Sequence, residues 1–236
     1  TIQTKVKSVK MTKFIQLEEA EKRLVLQLQS IEQAEESKTH MLLVNPLLGL
    51  LRLYQEYRDQ NAQACKEKGE RVVKHLLEIH AAHPDDAWTV LREVFEFYRY
   101  ISEHDKCLEL GKRYLEEIER LFGKNSLQVV APLIALGLVL NSQGGYNASI
   151  KYFEQALAIT KQSQGAEHPS VAAVLSHMAG THVDQGNYSA ALKCYEEALA
   201  IYKQALGETH PSVAATLNNM AAAYRRQGDL PLAAKY

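Results

Sequence analysis

A short stretch occurs twice in the chain, as His168-Pro169-Ser170-Val171-Ala172-Ala173 and again as His210-Pro211-Ser212-Val213-Ala214-Ala215, which sets a 42-residue offset. The same offset relates Gly123, Gly165 and Gly207, and again Gly144, Gly186 and Gly228. It also relates Tyr146 to Tyr188, Phe153 to Tyr195 and Ala156 to Ala198. A fixed period of this size marks a solenoid, in which one supersecondary unit stacks on copies of itself.

Each unit reads as two helices. In the clearest one, Val171, Leu175, Met178, Ala179 and His182 fall on one stripe of helical period. Gly186-Asn187 breaks the chain, and Ala191, Tyr195, Ala198, Leu199 and Tyr202 make a second stripe. Small residues sit where two helices must approach closely, and large ones fill the space between pairs. The run Leu-x2-Met-Ala-x2-His-x3-Gly-x-Tyr-x2-Ala-x3-Tyr-x2-Ala-Leu, from Leu175 to Leu199, resembles the tetratricopeptide-repeat (TPR) pattern, with Leu175 at the position usually held by Trp. The usual period is about 34 residues. The longer period here, with Gly-x2-His-Pro-x-Val-Ala opening each unit, resembles the kinesin-light-chain-like subclass, and Leu206–Gly228 carry the closest match. The resemblance implies an all-α fold: a right-handed α-solenoid of TPR helix-turn-helix units with an N-terminal helix. It specifies a fold and says little about a ligand.

The pattern divides the chain into three parts. Residues 1–40 read as a lead-in followed by a capping or coiled-coil helix over Met11–Ser37, where Phe14, Leu17, Leu24, Leu28 and Ile31 follow helical spacing. Residues 41–122 read as two degenerate helix pairs. Leu50, Leu53, Tyr54 and Tyr57, then Cys65, Gly69, Val72, Val73 and Leu76, make the first. Leu91, Val94, Phe95 and Tyr98, then Cys107, Gly111, Tyr114 and Leu115, make the second. Phe95 takes a slot that is small in the clearest unit, so wider helix spacing or a side-chain rearrangement is expected there. Residues 123–236 read as regular units, the last one cut short. Pro132 should bend or shorten the first turn of its helix. The missing half of the last unit should bury Leu217, Met220 and Tyr224. A start at Thr1 and a stop inside a second helix read as a piece of a longer protein.

Chemistry finds no foothold in the pattern. The net charge is −1 and the basic residues are dispersed, which argues against nucleic acid as the main partner. The longest apolar run, Val129 to Leu140, is too short to span a bilayer. Cys65, Cys107 and Cys194 form no CxxC and read as small buried side chains of a reducing compartment. No phosphate-binding loop, HExxH or GxSxG is present. His75, His80 and His83 cluster, yet read as a solvated helix end rather than a metal site. His182 stands at a packing position. His168 and His210 recur in register, which a catalytic group would not need to do, and their neighbouring serines are expected to satisfy free helix N–H groups. Glu116-Glu117 and Glu196-Glu197 are adjacent on outer faces and cannot converge. The reading is therefore non-enzymatic, with no catalytic residue, metal or cofactor.

The resemblance also implies where binding occurs. The first helices of TPR units line a concave groove that takes a protein or peptide segment of a partner. By motif position the groove faces are Arg92, Glu96 and Arg99; Ile134, Leu138 and Asn141; Ser176, Gly180 and Val183; and Asn218, Ala222 and Arg225. Ile134 and Leu138 read as an apolar anchor pocket or as a seat for the chain's own N-terminal helix. Asn218 suits a peptide backbone, because an amide both donates and accepts. The lysines of a TPR carboxylate clamp are missing, which disfavours a reader of chaperone tails. Cargo binding or complex assembly in the cytoplasm, with or without the cytoskeleton, is the leading expectation. A sensor module of a larger signalling ATPase or protease, and a structural part of a cytoskeletal or ciliary assembly, are the alternatives. The oligomeric state stays open.

Overall fold

The computed structural model describes residues 19–26, 45, 47–52, 62–82 and 87–236. The lead-in, Phe14, Leu17, Leu28, Ile31, Leu53, Tyr54, Tyr57 and His83 lie outside the described residues. Every regular element among the described residues is helical. The chain forms two compact units, Thr1–Leu110 and Gly111–Tyr236.

In the first unit, residues 19–26 and 47–52 are helical and precede α1 (Ala62–Ala82) and α2 (Ala87–Tyr100). Helix α3 (His104–Phe122) begins here and ends in the second unit. Leu51, Leu76, Val94, Phe95 and Phe97 are fully buried. Segment 19–26 lies on this unit: Leu24 is 3.4 Å from where a Cβ on Gly49 would stand, and Glu21 pairs with Lys68 at 2.6 Å.

The degenerate packing has a physical account. A Cβ on Gly69 would stand 2.2 Å from the Phe97 ring, so Phe97 fills the space that the glycine leaves open. In the register of the repeat Gly69 is the counterpart of Phe153, and Phe97 is the counterpart of Thr181. Large and small have changed places. Phe95 shows the same exchange in sequence, standing in the register of Gly137 while Gly111 stands in that of Phe153.

The second unit runs through a 3-10 turn (Leu127–Val129), α4 (Val130–Ser142), α5 (Tyr146–Gln164), α6 (Pro169–Asp184), α7 (Tyr188–Leu206), α8 (Pro211–Gln227) and α9 (Leu230–Ala233). From α4 to α9 each helix packs on the next, and the first helices α4, α6 and α8 also touch in sequence. Pro132 sits buried in the first turn of α4, where its missing N–H has no helical acceptor to forgo. The chain leads into that turn through the 3-10 segment, the form that the expected shortening takes.

Two devices set the period. Gly123, Gly144, Gly165, Gly186, Gly207 and Gly228 all have φ between +77° and +93°, a region open to a residue without a Cβ. Each follows the one before by half a repeat, so helix pairs and their connections close on the same residue type. The second device is the cap ahead of α6 and α8. His168 Nδ1 accepts from the Ser170 N–H at 3.2 Å, and His210 Nδ1 accepts from the Ser212 N–H at 3.1 Å. This corrects the expectation that the serines do the capping. The imidazole reaches forward past the proline at the first helical position, and Nδ1 accepts there as a ring nitrogen without its hydrogen.

Inside the second unit, size matching brings the helices together. The Phe153 ring is fully buried, and a Cβ on Gly137 would stand 2.8 Å from it. One repeat on, the pair becomes Ala179 and Tyr195, both buried. The Ser149 hydroxyl donates to the Gly137 carbonyl at 2.7 Å. One repeat earlier, the Cys107 thiol makes the same contact with the Phe95 carbonyl at 3.8 Å. Met220 is covered by Ala179, Tyr195 and Ala223, and Leu217 packs on the Val171–Tyr202 cluster. The preceding hairpin thus buries Met220, which was expected to await the missing half. Tyr224 stacks on Tyr236 with centroids 5.7 Å apart.

Two measurements test this packing. His168→Ala and His210→Ala should each lower stability by about 1 kcal/mol, with Asn at either position restoring most of it, read by urea denaturation. Gly137→Ala should destabilise by on the order of 1 kcal/mol, because overpacking exceeds the gain in helix propensity, and Phe153→Leu should relieve the loss in a double-mutant cycle.

Candidate partner-binding face

The C-terminal turns of α4, α6 and α8 carry a polar chain that crosses three hairpins. The Asn141 amide donates to one oxygen of Asp184 at 2.9 Å. Arg226 donates to the other oxygen at 3.0 Å. The Tyr195 phenol lies in the same field: burial raises its pKa, Asp184 raises it further and Arg226 opposes them. Gln185 bonds Asn147 at 2.9 Å, a further tie from the end of α6 to the preceding hairpin. The Asn141 Oδ1 and the His182 Nδ1 are buried and have no hydrogen-bond partner among the described residues. An unpaired buried acceptor costs about 1–3 kcal/mol, so the Asn141 oxygen is a place where a donor would be rewarded.

Of the residues expected on this face, Asn141 belongs to the polar chain, and Ile134 and Leu138 are half-buried on the same helix. The Ser176 hydroxyl donates to the Ala172 carbonyl at 2.8 Å and lies beside the Tyr202 phenol. Gly180, Val183 and Ala222 are half-buried, while Asn218 and Arg225 are exposed on α8. Asp184 and Arg226 were not on the expected face. Their signal is opposite charge at one register position in neighbouring repeats.

In the first unit, Arg92 lies over the Trp88 ring at 5.6 Å and donates to Glu93 at 3.0 Å. Arg52 grips the same carboxylate with bonds of 3.0 and 2.7 Å. The Arg52 bonds, more than burial opposes, hold the Glu93 pKa below the ordinary carboxylate value. Arg99 donates to Glu96 at 2.9 Å. Arg92, Glu96 and Arg99 thus all have partners of their own within this unit.

The cysteines and His177 belong to the packing instead. Burial pushes the Cys107 thiol to about 12, so it stays protonated and donates. Cys65 and Cys194 are raised by burial as well, and all three cysteines are free. His177 keeps exposed surface, but its ring lies flat on Phe153 with centroids 6.0 Å apart, and loss of water lowers its pKa. Among the described residues no group of His, Cys, Asp and Glu is arranged to hold a metal ion. No helix among them is long and apolar enough to cross a membrane.

Helix pairs of fixed length, closed by glycines and packed small against large, define a repeat protein of the tetratricopeptide kind. The chain belongs to the tetratricopeptide-repeat family, whose pattern matches residues 89–162, 128–204 and 170–236. It is an all-α solenoid of tetratricopeptide helix pairs. Repeats of this family serve as protein-interaction scaffolds, and that class describes this chain. Among solved structures it is similar to BtubC (BKLC) from P. vanneervenii, with a TM-score of 0.70, 19% identity, and 93% of this chain and 87% of that one covered. It is similar to a Podosopora anserina protein assigned as a kinesin light chain with nearly identical TPR-like repeats, with a TM-score of 0.63, 21% identity, and coverage of 80% and 90%. A Rap protein complexed with competence and sporulation factor matches with a TM-score of 0.54, 14% identity, and coverage of 96% and 74%. A curated relative, the clustered mitochondria protein homolog of Ajellomyces capsulatus, is 23% identical over 122 residues, half of this chain. The match spans 10% of that relative's length.

The Arg52–Glu93 pair predicts a pH dependence. The folded carboxyl has the lower pKa, so the unfolded state takes up the proton first as pH falls. The stabilisation is present above the ordinary carboxylate value and lost as pH drops through the folded value. Wild type should therefore lose its advantage over Glu93→Gln on acidification, read as the difference in melting temperature across a pH series.

Proposed function

We propose that the protein is a scaffold that binds an extended segment of a partner protein along α4, α6 and α8, for cargo binding or complex assembly. The observation that carries this is the buried, unpaired Oδ1 of Asn141 beside half-buried Ile134 and Leu138. A peptide N–H satisfies the oxygen, and an apolar side chain covers the two aliphatic residues. Asn218 and Ser176 add backbone contacts further along, and Arg225 attracts an acidic residue of the ligand. Arg92, Glu96 and Arg99 offer a separate charged surface on the first unit. The Rap complex named above supports the reading, since a fold of this kind there holds a bound factor. In this reading residues 1–40 are the lead-in and cap, 41–122 the degenerate pairs and 123–236 the binding array. Likeness to a kinesin light chain supports a site of action in the cytoplasm near the cytoskeleton.

Peptides selected from a random display library against the protein test the reading. Ile134→Asp with Leu138→Asp should weaken the selected peptides by roughly tenfold or more, and Asn141→Ala by less. Lys193→Glu on the exposed side of α7 should leave affinity unchanged. Equal affinity for all four proteins, each shown to be helical by circular dichroism, overturns the proposal.

A further inference from the structure

A cavity of about 310 Å³ opens between the end of α3, the turn after Gly123, the start of α4 and the last turns of α5. Small-molecule sites occupy about 300–1,000 Å³, and this cavity is at the small end of that range. Its floor is apolar: Val129, Leu133 and Ile159 are 1%, 2% and 7% exposed. Its rim carries Glu119, Lys124, Asn125 and Gln155. None of these four side chains forms a hydrogen bond or ion pair with a described residue. The negative field of Glu119 reaches the Tyr152 phenol, whose pKa is raised by burial first and by this carboxylate second.

The next repeat carries a different pair at these positions. There Glu119 becomes Lys161 and Gln155 becomes Glu197. Lys161 and Glu197 meet in an ion pair of 2.9 Å. Gln204 and Glu167 add a hydrogen bond of 3.0 Å. The earlier repeat has an acid and an amide where the later one has a matched pair, so its helices are not tied and its rim charges remain unspent.

We propose that this cavity binds a free α-amino acid with an apolar side chain. Lys124 and the Asn125 amide receive the carboxylate. Glu119 and the Gln155 carbonyl oxygen receive the ammonium group. The floor takes the side chain. Both rim charges and the floor are matched at once by a small zwitterion of this class, whereas a simple amine or acid leaves one charge unanswered. The site is separate from α6 and α8, and it stands or falls apart from the partner-binding reading.

Titration calorimetry on the intact protein tests it, with L-leucine and L-phenylalanine as probes. Isopentylamine lacks the carboxylate, and 4-methylpentanoate lacks the ammonium group. At least one of the two amino acids should bind, and each single-charge analogue should bind roughly tenfold more weakly or worse. Glu119→Lys with Gln155→Glu copies the pair of the next repeat and should abolish binding while melting temperature holds or rises. Lys124 is exposed, so Lys124→Gln tests the carboxylate arm without touching the core, and it should weaken binding by roughly tenfold. Absence of heat with both amino acids at millimolar concentration overturns the proposal. So does undiminished binding by the double variant or by Lys124→Gln, or equal binding of either analogue.

Discussion

A helix hairpin with one apolar stripe on each helix cannot cover both stripes by itself, and close approach between neighbours is what satisfies the second unit. That approach is controlled by one contact. Where Phe153 is large, Gly137 must be absent as a side chain, and where Tyr195 follows, Ala179 suffices. Both choices keep the interior filled, because packing rewards total volume and shape rather than a particular residue. The first unit answers the same demand the other way round, with Phe97 growing into the space over Gly69. Degeneracy there is a different distribution of the same bulk.

Much of this was open to reading in the residues. A constant offset reported on the hairpin, since apolar stripes and turn glycines both repeat with it. The glycine turns needed no tertiary information, because a left-handed turn is a local demand. The caps were half legible. Pro169 and Pro211 marked the first helical turn, but an imidazole acceptor two bonds beyond Cβ is not distinguished by residue type from a serine hydroxyl. The polar chain through Asp184 was least legible. A motif position names a helix face, and it does not say which of two adjacent residues reaches the next hairpin. Ser176 shows the converse limit. Its position faced outward by pattern, yet its hydroxyl donates to the Ala172 carbonyl of its own helix and only its oxygen is left to accept.

Polar residues in this array do two separate jobs. Asp184 joins Asn141 and Arg226, and so links the ends of three first helices. Lys161 and Glu197 link two second helices. Such exposed ties contribute little stability each, on the order of 0–1 kcal/mol. Their effect is to fix how neighbouring hairpins are set. A repeat without this pair, as at Glu119 and Gln155, keeps the stack.

The even spacing of left-handed glycines has a consequence for how such a chain can change length. The two kinds of connection share a glycine of positive φ but not its ψ, which is 156° at Gly165 and 158° at Gly207 between hairpins and 2° at Gly228 inside one. A segment one full period long can be gained or lost starting from any of these glycines, and every helix keeps its side of the array. A segment of half that size would set one kind of joint where the other belongs, and it would exchange first and second helices from that point onward.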